Sequence, residues 1–219
     1  MLSVVIPVFN RSDLTDQVLK ELWFTSSKTD EIVVVDNGSW DTTPLVLDEH
    51  KKHFEDRMIV LRHGRNEGFA TACNDGIRLS HGDVVILLNN DVRIHHAFQR
   101  QICETLDENP KRLVCGRLVN WPAGWNQFGD MIIPYAEAWC LGFRRTAILD
   151  IGYLDEQFTP AYYEDVDFSF RAIQKGYELM QLSLPLTHLR GGSAGQLKAP
   201  VGITEAHRIL FAKKWGLKV

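Results

Sequence analysis

The chain has 219 residues, of which 45% are apolar and 10% aromatic, and carries a formal net charge of -4 at pH 7. That length suits one large α/β domain with a full core, and a pI near 6.1 leaves no basic surplus for nucleic acid or anionic membrane, so a small-molecule partner is expected. Cys73, Cys103, Cys115 and Cys140 lie far apart with no C-x-x-C pair, which fits buried thiols in a reducing compartment and excludes a dense disulfide framework or a zinc cluster.

The opening MLSVVIPVFN reads as a first strand rather than a signal peptide. No apolar run approaches the roughly 20 residues that span a bilayer, so a soluble, cytoplasmic protein is expected. Short β-branched runs follow at Val4 to Val8, Ile32 to Val35, Met58 to Leu61 and Val84 to Leu88. Between them, Leu14, Val18 and Leu22 recur at helical spacing behind Ser12 and Asp13, a capped start, and Gly68 to Ser80 forms a second helix. Apolar strands alternating with helices predict a mostly parallel sheet covered on both faces, with ligands beyond the carboxyl ends of the strands.

From Leu113 to Phe143 the texture changes to Trp, Pro and Gly, predicting short strands and loops and a candidate acceptor side. A helix is expected from Tyr163 to Lys175 with Val166, Phe170 and Ile173 on one face, ending at Gly176. A strand from Tyr177 to Leu184 comes next. Arg190 to Gly202 reads as a mobile loop, a candidate lid, before a last helix holding Ile209, Phe211 and Trp215.

Chemistry concentrates where strands end. Asp36-Asn37-Gly38 closes the second strand, so Asp36 either accepts hydrogen bonds from a ribose or base or serves as a turn residue. Arg65-Asn66-Glu67-Gly68 offers a guanidinium, an amide and a small residue to a diphosphate. Asn89-Asn90-Asp91 brings three oxygen-bearing side chains to the fourth strand's end, where Asp91 is either a ligand for a hard cation or a strand cap. Glu164, Asp165 and Asp167 open a helix. Asp165 and Asp167 point about 160° apart, so only one of them can serve a given site. His188 matters as a ligand only if Asp91 is near it in space.

In their order, VVIPVFNR, VVVDNGSWD, RNEGFATACNDGI, LLNND, GYLDEQFTPAYYEDVDFSFRAIQKGY, the late histidine and KKWG resemble family 2 glycosyltransferases of the GT-A fold, particularly rhamnosyltransferase-like members. The resemblance implies a Rossmann-like sandwich in one catalytic domain, with 1–118 as the nucleotide-sugar half, 119–190 as the acceptor and catalytic half, and 191–219 as loop and terminal helix. It implies an inverting transfer from a dTDP- or UDP-linked sugar to an acceptor hydroxyl, expected on a saccharide, with assistance by Mn²⁺ or Mg²⁺. Pro7, Asn10, Asp36, Arg65, Asn66, Gly68, Asn90 and Asp91 would hold the donor. Asp165 would be the base, Glu164 and Trp139 would border the acceptor, and Asp91 and His188 would hold the metal. Asn89 stands where the family's D-x-D element has its first acid. A nucleotide-sugar-binding module without activity and a nucleotidyltransferase are the competing readings.

Overall fold

The computed structural model describes residues 1–189 and 202–218. Its strands are β1 (Leu2–Val8), β2 (Glu31–Asp36), β3 (Met58–Arg62), β4 (Val84–Leu88), β5 (Val92–Ile94), β6 (Arg112–Cys115), β7 (Leu118–Val119), β8 (Gln127–Phe128), β9 (Met131–Ile132), β10 (Tyr135–Ala136), β11 (Cys140–Arg144), β12 (Glu178–Gln181) and β13 (Leu186–His188). Its helices are α1 (Ser12–Thr25), α2 (Thr43–Phe54), α3 (Phe69–Leu79), α4 (Gln99–Glu108), α5 (Ala147–Ile151), α6 (Glu164–Gln174) and α7 (Ile203–Trp215).

Seven strands form the main sheet in the order β12-β6-β11-β4-β1-β2-β3. The run β4-β1-β2-β3 is parallel, and β11 enters antiparallel between β4 and β6. Side chains alternate across a strand, so Val4 and Ile6 face α1, α2 and α4 while Val5 faces α3, α5 and α6. Burial on both faces explains why these strands are continuously apolar. Each fully buried Val, Ile or Leu contributes about 1.5–3 kcal/mol of transfer free energy. A third cluster joins Val119, Phe128 and Tyr135 to Val166 of α6 and Phe211 of α7.

Several expectations change in the structure. The α1 start has no side-chain cap of its own; the Ser12 amide donates instead to Asp41 across the neighbouring turn. The late strand stops at Gln181 because β6, its only partner among the described residues, supplies pairing from Arg112 to Cys115, while Leu182 and Leu184 pack on the core outside it. Ile173, expected on one face with Val166 and Phe170, lies exposed; Val166 is buried as expected, and α6 also turns Asp167, Phe168, Ser169 and Ala172 inward. Apart from Gly202, the proposed lid lies outside the described residues.

Asp167 is the buried anchor of the acidic helix start. Its fully enclosed carboxylate accepts from Arg171 Nε at 2.8 Å, Lys214 Nζ at 2.6 Å and Trp215 Nε1 at 2.9 Å. A buried charge is tolerated only when paired and hydrogen-bonded, so this carboxylate ties α6 to α7.

Helix α3 crosses β1 at Gly76, where an added Cβ would stand 2.3 Å from Val5 Cγ1. Val5 is a β-branched side chain in a buried strand and has little room to turn. Gly76→Ala should therefore lower unfolding free energy by about 1–3 kcal/mol, read as a fall in the urea midpoint at unchanged slope.

Candidate active site

The β3-to-β4 connection crosses the sheet and places β4 beside β1, so helices leave neighbouring strands in opposite directions and a crevice opens above their carboxyl ends. A cavity of about 570 Å³ occupies it. Pro7 and Val8 of β1 and Asn89, Asn90 and Asp91 after β4 form its floor. Asn37 and Asn66 bound one side, and Arg117, Glu137, Trp139 and the α6 start from Tyr162 to Asp165 bound the other.

On the first side two turns are knitted together. Asn37 Nδ2 donates to Asn66 Oδ1 and to the Gly68 carbonyl, both at 3.0 Å, and Asn37 Oδ1 accepts from the Glu67 amide at 3.0 Å. Of the residues expected to hold a donor, Pro7, Asn66, Asn90 and Asp91 line the cavity, whereas Asn10, Asp36, Arg65 and Gly68 do not. Asp36 accepts from the Ser39 amide and Asn10 from the Trp40 amide, so both support the turn after β2. Arg65 is exposed and pairs with Glu67. Gly68 has φ +99°, and an added Cβ would lie 2.5 Å from Thr159 Oγ1; it lets the turn dock closely on the chain leading to α6.

On the floor, β13 pairs antiparallel with β5 and sets His188 opposite Val92. His188 Nε2 consequently stands 3.2 Å from Asp91 Oδ1. The two residues 97 positions apart in sequence come together through that short ladder. Asn89 adds a buried Oδ1 with no hydrogen-bond partner among the described atoms. Asp91 and His188 line one cavity and offer a carboxylate and an imidazole, a partial donor set that suits Mn²⁺ or Mg²⁺, which complete their shells with phosphate oxygen and water.

Trp139 joins the two sides. Its indole stacks on His188 with centroids 4.9 Å apart and planes at 12°, and its Nε1-H donates to Glu137 Oε2 at 3.0 Å. Glu137 Oε1 lies 3.2 Å from Arg117. Trp139 is thus committed to holding His188 and Glu137, besides bordering the cavity.

Glu164 and Asp165 face the cavity from the α6 N-terminus. Burial pushes the Glu164 carboxyl well above its ordinary range, and the neighbouring Asp165 charge adds to that. Burial likewise raises Asp165 to about 7, with the Glu137 charge adding to the rise and the Val166 amide opposing it. An aspartate poised near neutrality beside a cavity is the condition for general-base work. The residues before them, Tyr162 and Tyr163, hold φ of 77° and 78°, a left-handed conformation costing bulky side chains about 1–3 kcal/mol each.

Asn37, Arg117, Glu137 and Tyr162 were not singled out from the sequence. Glu137 carried a usable signal, an acid between Ala136 and Ala138 in a buried stretch. Asn37 was overshadowed by Asp36, although the two must point to opposite sides of an extended chain.

Strand order, crossover and cavity together define a GT-A fold. A sequence profile of glycosyl transferase family 2 matches residues 3–168, and the chain belongs to that family. It is 29% identical over 119 residues to poly(ribitol-phosphate) beta-glucosyltransferase of Bacillus spizizenii, an overlap of 53% of this chain and 19% of that relative's length. The mannosyltransferase PcManGT from Pyrobaculum calidifontis, in complex with GDP-Man and Mn²⁺, superposes with TM-score 0.68 at 17% identity, over 83% of this chain and 54% of that one. S. aureus TarS 1-349 in complex with UDP superposes with TM-score 0.64 at 20% identity, over 83% and 57%. At these identities the superpositions establish the fold. Among the described residues, no helix is long and apolar enough to cross a membrane.

The Trp139 ring rests on Gly116, where a Cβ would lie 2.3 Å from its Cη2. Gly116→Ala should tilt the indole off His188. The expected readout is an altered near-UV circular dichroism band with the far-UV spectrum unchanged; an unaltered band would mean the stack survives.

Proposed function

We propose that this chain is an inverting glycosyltransferase that moves a sugar from a nucleoside diphosphate, dTDP- or UDP-linked, to a saccharide hydroxyl. The observation that carries the reading is the pair Glu164, buried, and Asp165, half-buried, two carboxyls facing the same cavity as Asn66, Asn90 and Asp91. Family membership and the nucleotide-bound relatives of the same fold support it.

In this reading the donor nucleotide lies over Pro7, Asn37 and Asn66 with its diphosphate towards Asp91. The acceptor enters beside Glu137 and Tyr162. Asp165 takes the proton from the acceptor hydroxyl while that oxygen attacks the anomeric carbon, and the nucleoside diphosphate leaves from the opposite face, so configuration inverts. Glu164, with its neutral acid form favoured, donates a hydrogen bond to the acceptor. Asp91 and His188 would hold a divalent cation, which when bound supplies positive charge against the diphosphate.

Three measurements test the reading. Thermal unfolding with UDP, dTDP and GDP, each with and without Mn²⁺, should show one diphosphate raising the midpoint in a cation-dependent way; no shift with any of them would remove the donor site. Asp165→Asn should cut turnover by at least about a thousandfold, at the upper part of what a lost general base costs, and leave that diphosphate shift intact. Product analysis would separate sugar transfer, which frees a nucleoside diphosphate, from nucleotidyl transfer, which frees pyrophosphate.

The pH dependence has a definite sign. Turnover should fall about tenfold per unit below an acid limb near 7, a limb that belongs to the Glu164–Asp165 pair jointly. Folding raises Asp165 from an ordinary value of about 4, so between those values the folded chain binds more protons than the unfolded one. Stability is therefore lost as pH rises through that window. Asp165→Asn should melt a few degrees higher than the parent at pH 8, with the gain shrinking towards pH 4; a gain of equal size at both pH values would refute the raised pKa.

A further inference from the structure

We infer that α7 completes the acid site and that His207 is a positioning residue, fixing the backbone of Tyr162 and thereby the aim of Asp165. The inference rests on the reading of Asp165 as the base. Helix α7 spans Ile203–Trp215, wholly beyond the 3–168 stretch that the family profile matches, so family membership assigns it no task.

The argument begins with Tyr162 and Tyr163, consecutive bulky residues in the left-handed region immediately before Glu164 and Asp165. L-residues with side chains avoid that region, and a chain stays there only where its surroundings hold it. Much of that hold comes from α7. The Tyr162 carbonyl accepts from His207 Nδ1-H at 2.9 Å, which also fixes the His207 tautomer. His207 is 5% exposed and meets the Phe158 ring edge-on at 5.6 Å. The Tyr163 ring packs on Phe211 of α7, and its hydroxyl donates to the Trp125 carbonyl.

One turn further along α6, Lys214 and Trp215 grip Asp167. From the donor side the same segment is held by the Phe69 amide, which donates to the Pro160 carbonyl at 2.8 Å. The acid-bearing turn is therefore clamped between α3 and α7. His207 does not line the cavity, whereas Thr204 in the first turn of α7 does. The imidazole acts on backbone, not on substrate.

The test compares His207→Ala with His207→Asn, whose side-chain amide can place an N-H where Nδ1 stands. H207A should speed amide hydrogen exchange across residues 162–167 by about tenfold or more. It should lower kcat about 10- to 100-fold, the scale of a misaimed catalytic group, with the donor KM within about twofold. H207N should restore most of both. Turnover is followed as nucleoside diphosphate release from UDP-glucose, UDP-GlcNAc, dTDP-rhamnose and GDP-mannose. Should H207A not fold, His207→Phe, which fills the space against Phe158 but cannot donate, takes its place. Parental exchange and kcat in the variant lacking the donor, or failure of H207N to restore either, would overturn the inference. If the parent protein turns over none of the four sugars, the transferase reading falls, and the exchange comparison still decides whether His207 holds the turn.

Discussion

Strand β4 lies beside β1 instead of beside β3, and the rest of the site depends on that crossover. Two parallel strands whose following chains diverge leave a crevice at their carboxyl ends, where strand-end side chains and backbone amides meet no neighbouring strand. Pro7, Val8 and Asn89 to Asp91 all reach the cavity for this one topological reason. The antiparallel entry of β11 next to β4 closes the opposite wall, because Trp139 immediately precedes it and its carbonyl accepts from the Asn89 amide at 2.9 Å. The crossover thus creates the crevice and the reversed strand furnishes it.

Three acids at one helix start meet three different fates, which shows how little the macrodipole alone decides. A helix N-terminus favours carboxylates by a few tenths to about 1 kcal/mol, and all three share it. Asp167 receives Arg171, Lys214 and Trp215 and becomes structural. Glu164 is enclosed without such partners, so burial favours its neutral form. Asp165 keeps one face on the cavity and is raised to about 7, a destabilised charge of the kind that reaction sites retain at the expense of stability.

The parallel half of the fold was legible in the sequence because strands buried on both faces must be apolar throughout, and Val4 to Val8, Ile32 to Val35 and Val84 to Leu88 are. The separation of Asp165 from Asp167 was legible too, since helix geometry alone sets it. What escaped were contacts set by partners distant in the chain. The Ser12 amide looks for a cap, and the nearest carboxylate in space is Asp41; nothing in the SDL run indicates it. The end of the late strand depended on how far β6 extends. Asp36 and Asn10 carry the residue types that bind nucleotides, yet in the structure their oxygens accept from the amides of Ser39 and Trp40, so residue type at a strand end does not decide between ligand and turn.

The two sides of the cavity are mechanically joined, and that bears on how such a site can be built at all. In the proposed reaction, a donor pocket and an acid held on separate loops would drift by more than the fraction of an ångström that an in-line displacement tolerates. Here Gly68 admits Thr159 at close range and Phe69 binds Pro160, so the asparagine-knit turn on one side and the acid-bearing turn on the other share a contact. Across the floor, the chain from Asp91 through His188, Trp139 and Glu137 to Arg117 makes a second link. The first link rests on a backbone amide and the second is centred on the stacked rings of Trp139 and His188. A cavity braced in this way loses less side-chain entropy when a ligand orders it, and its binding energy remains available for the reaction instead of for assembling the site.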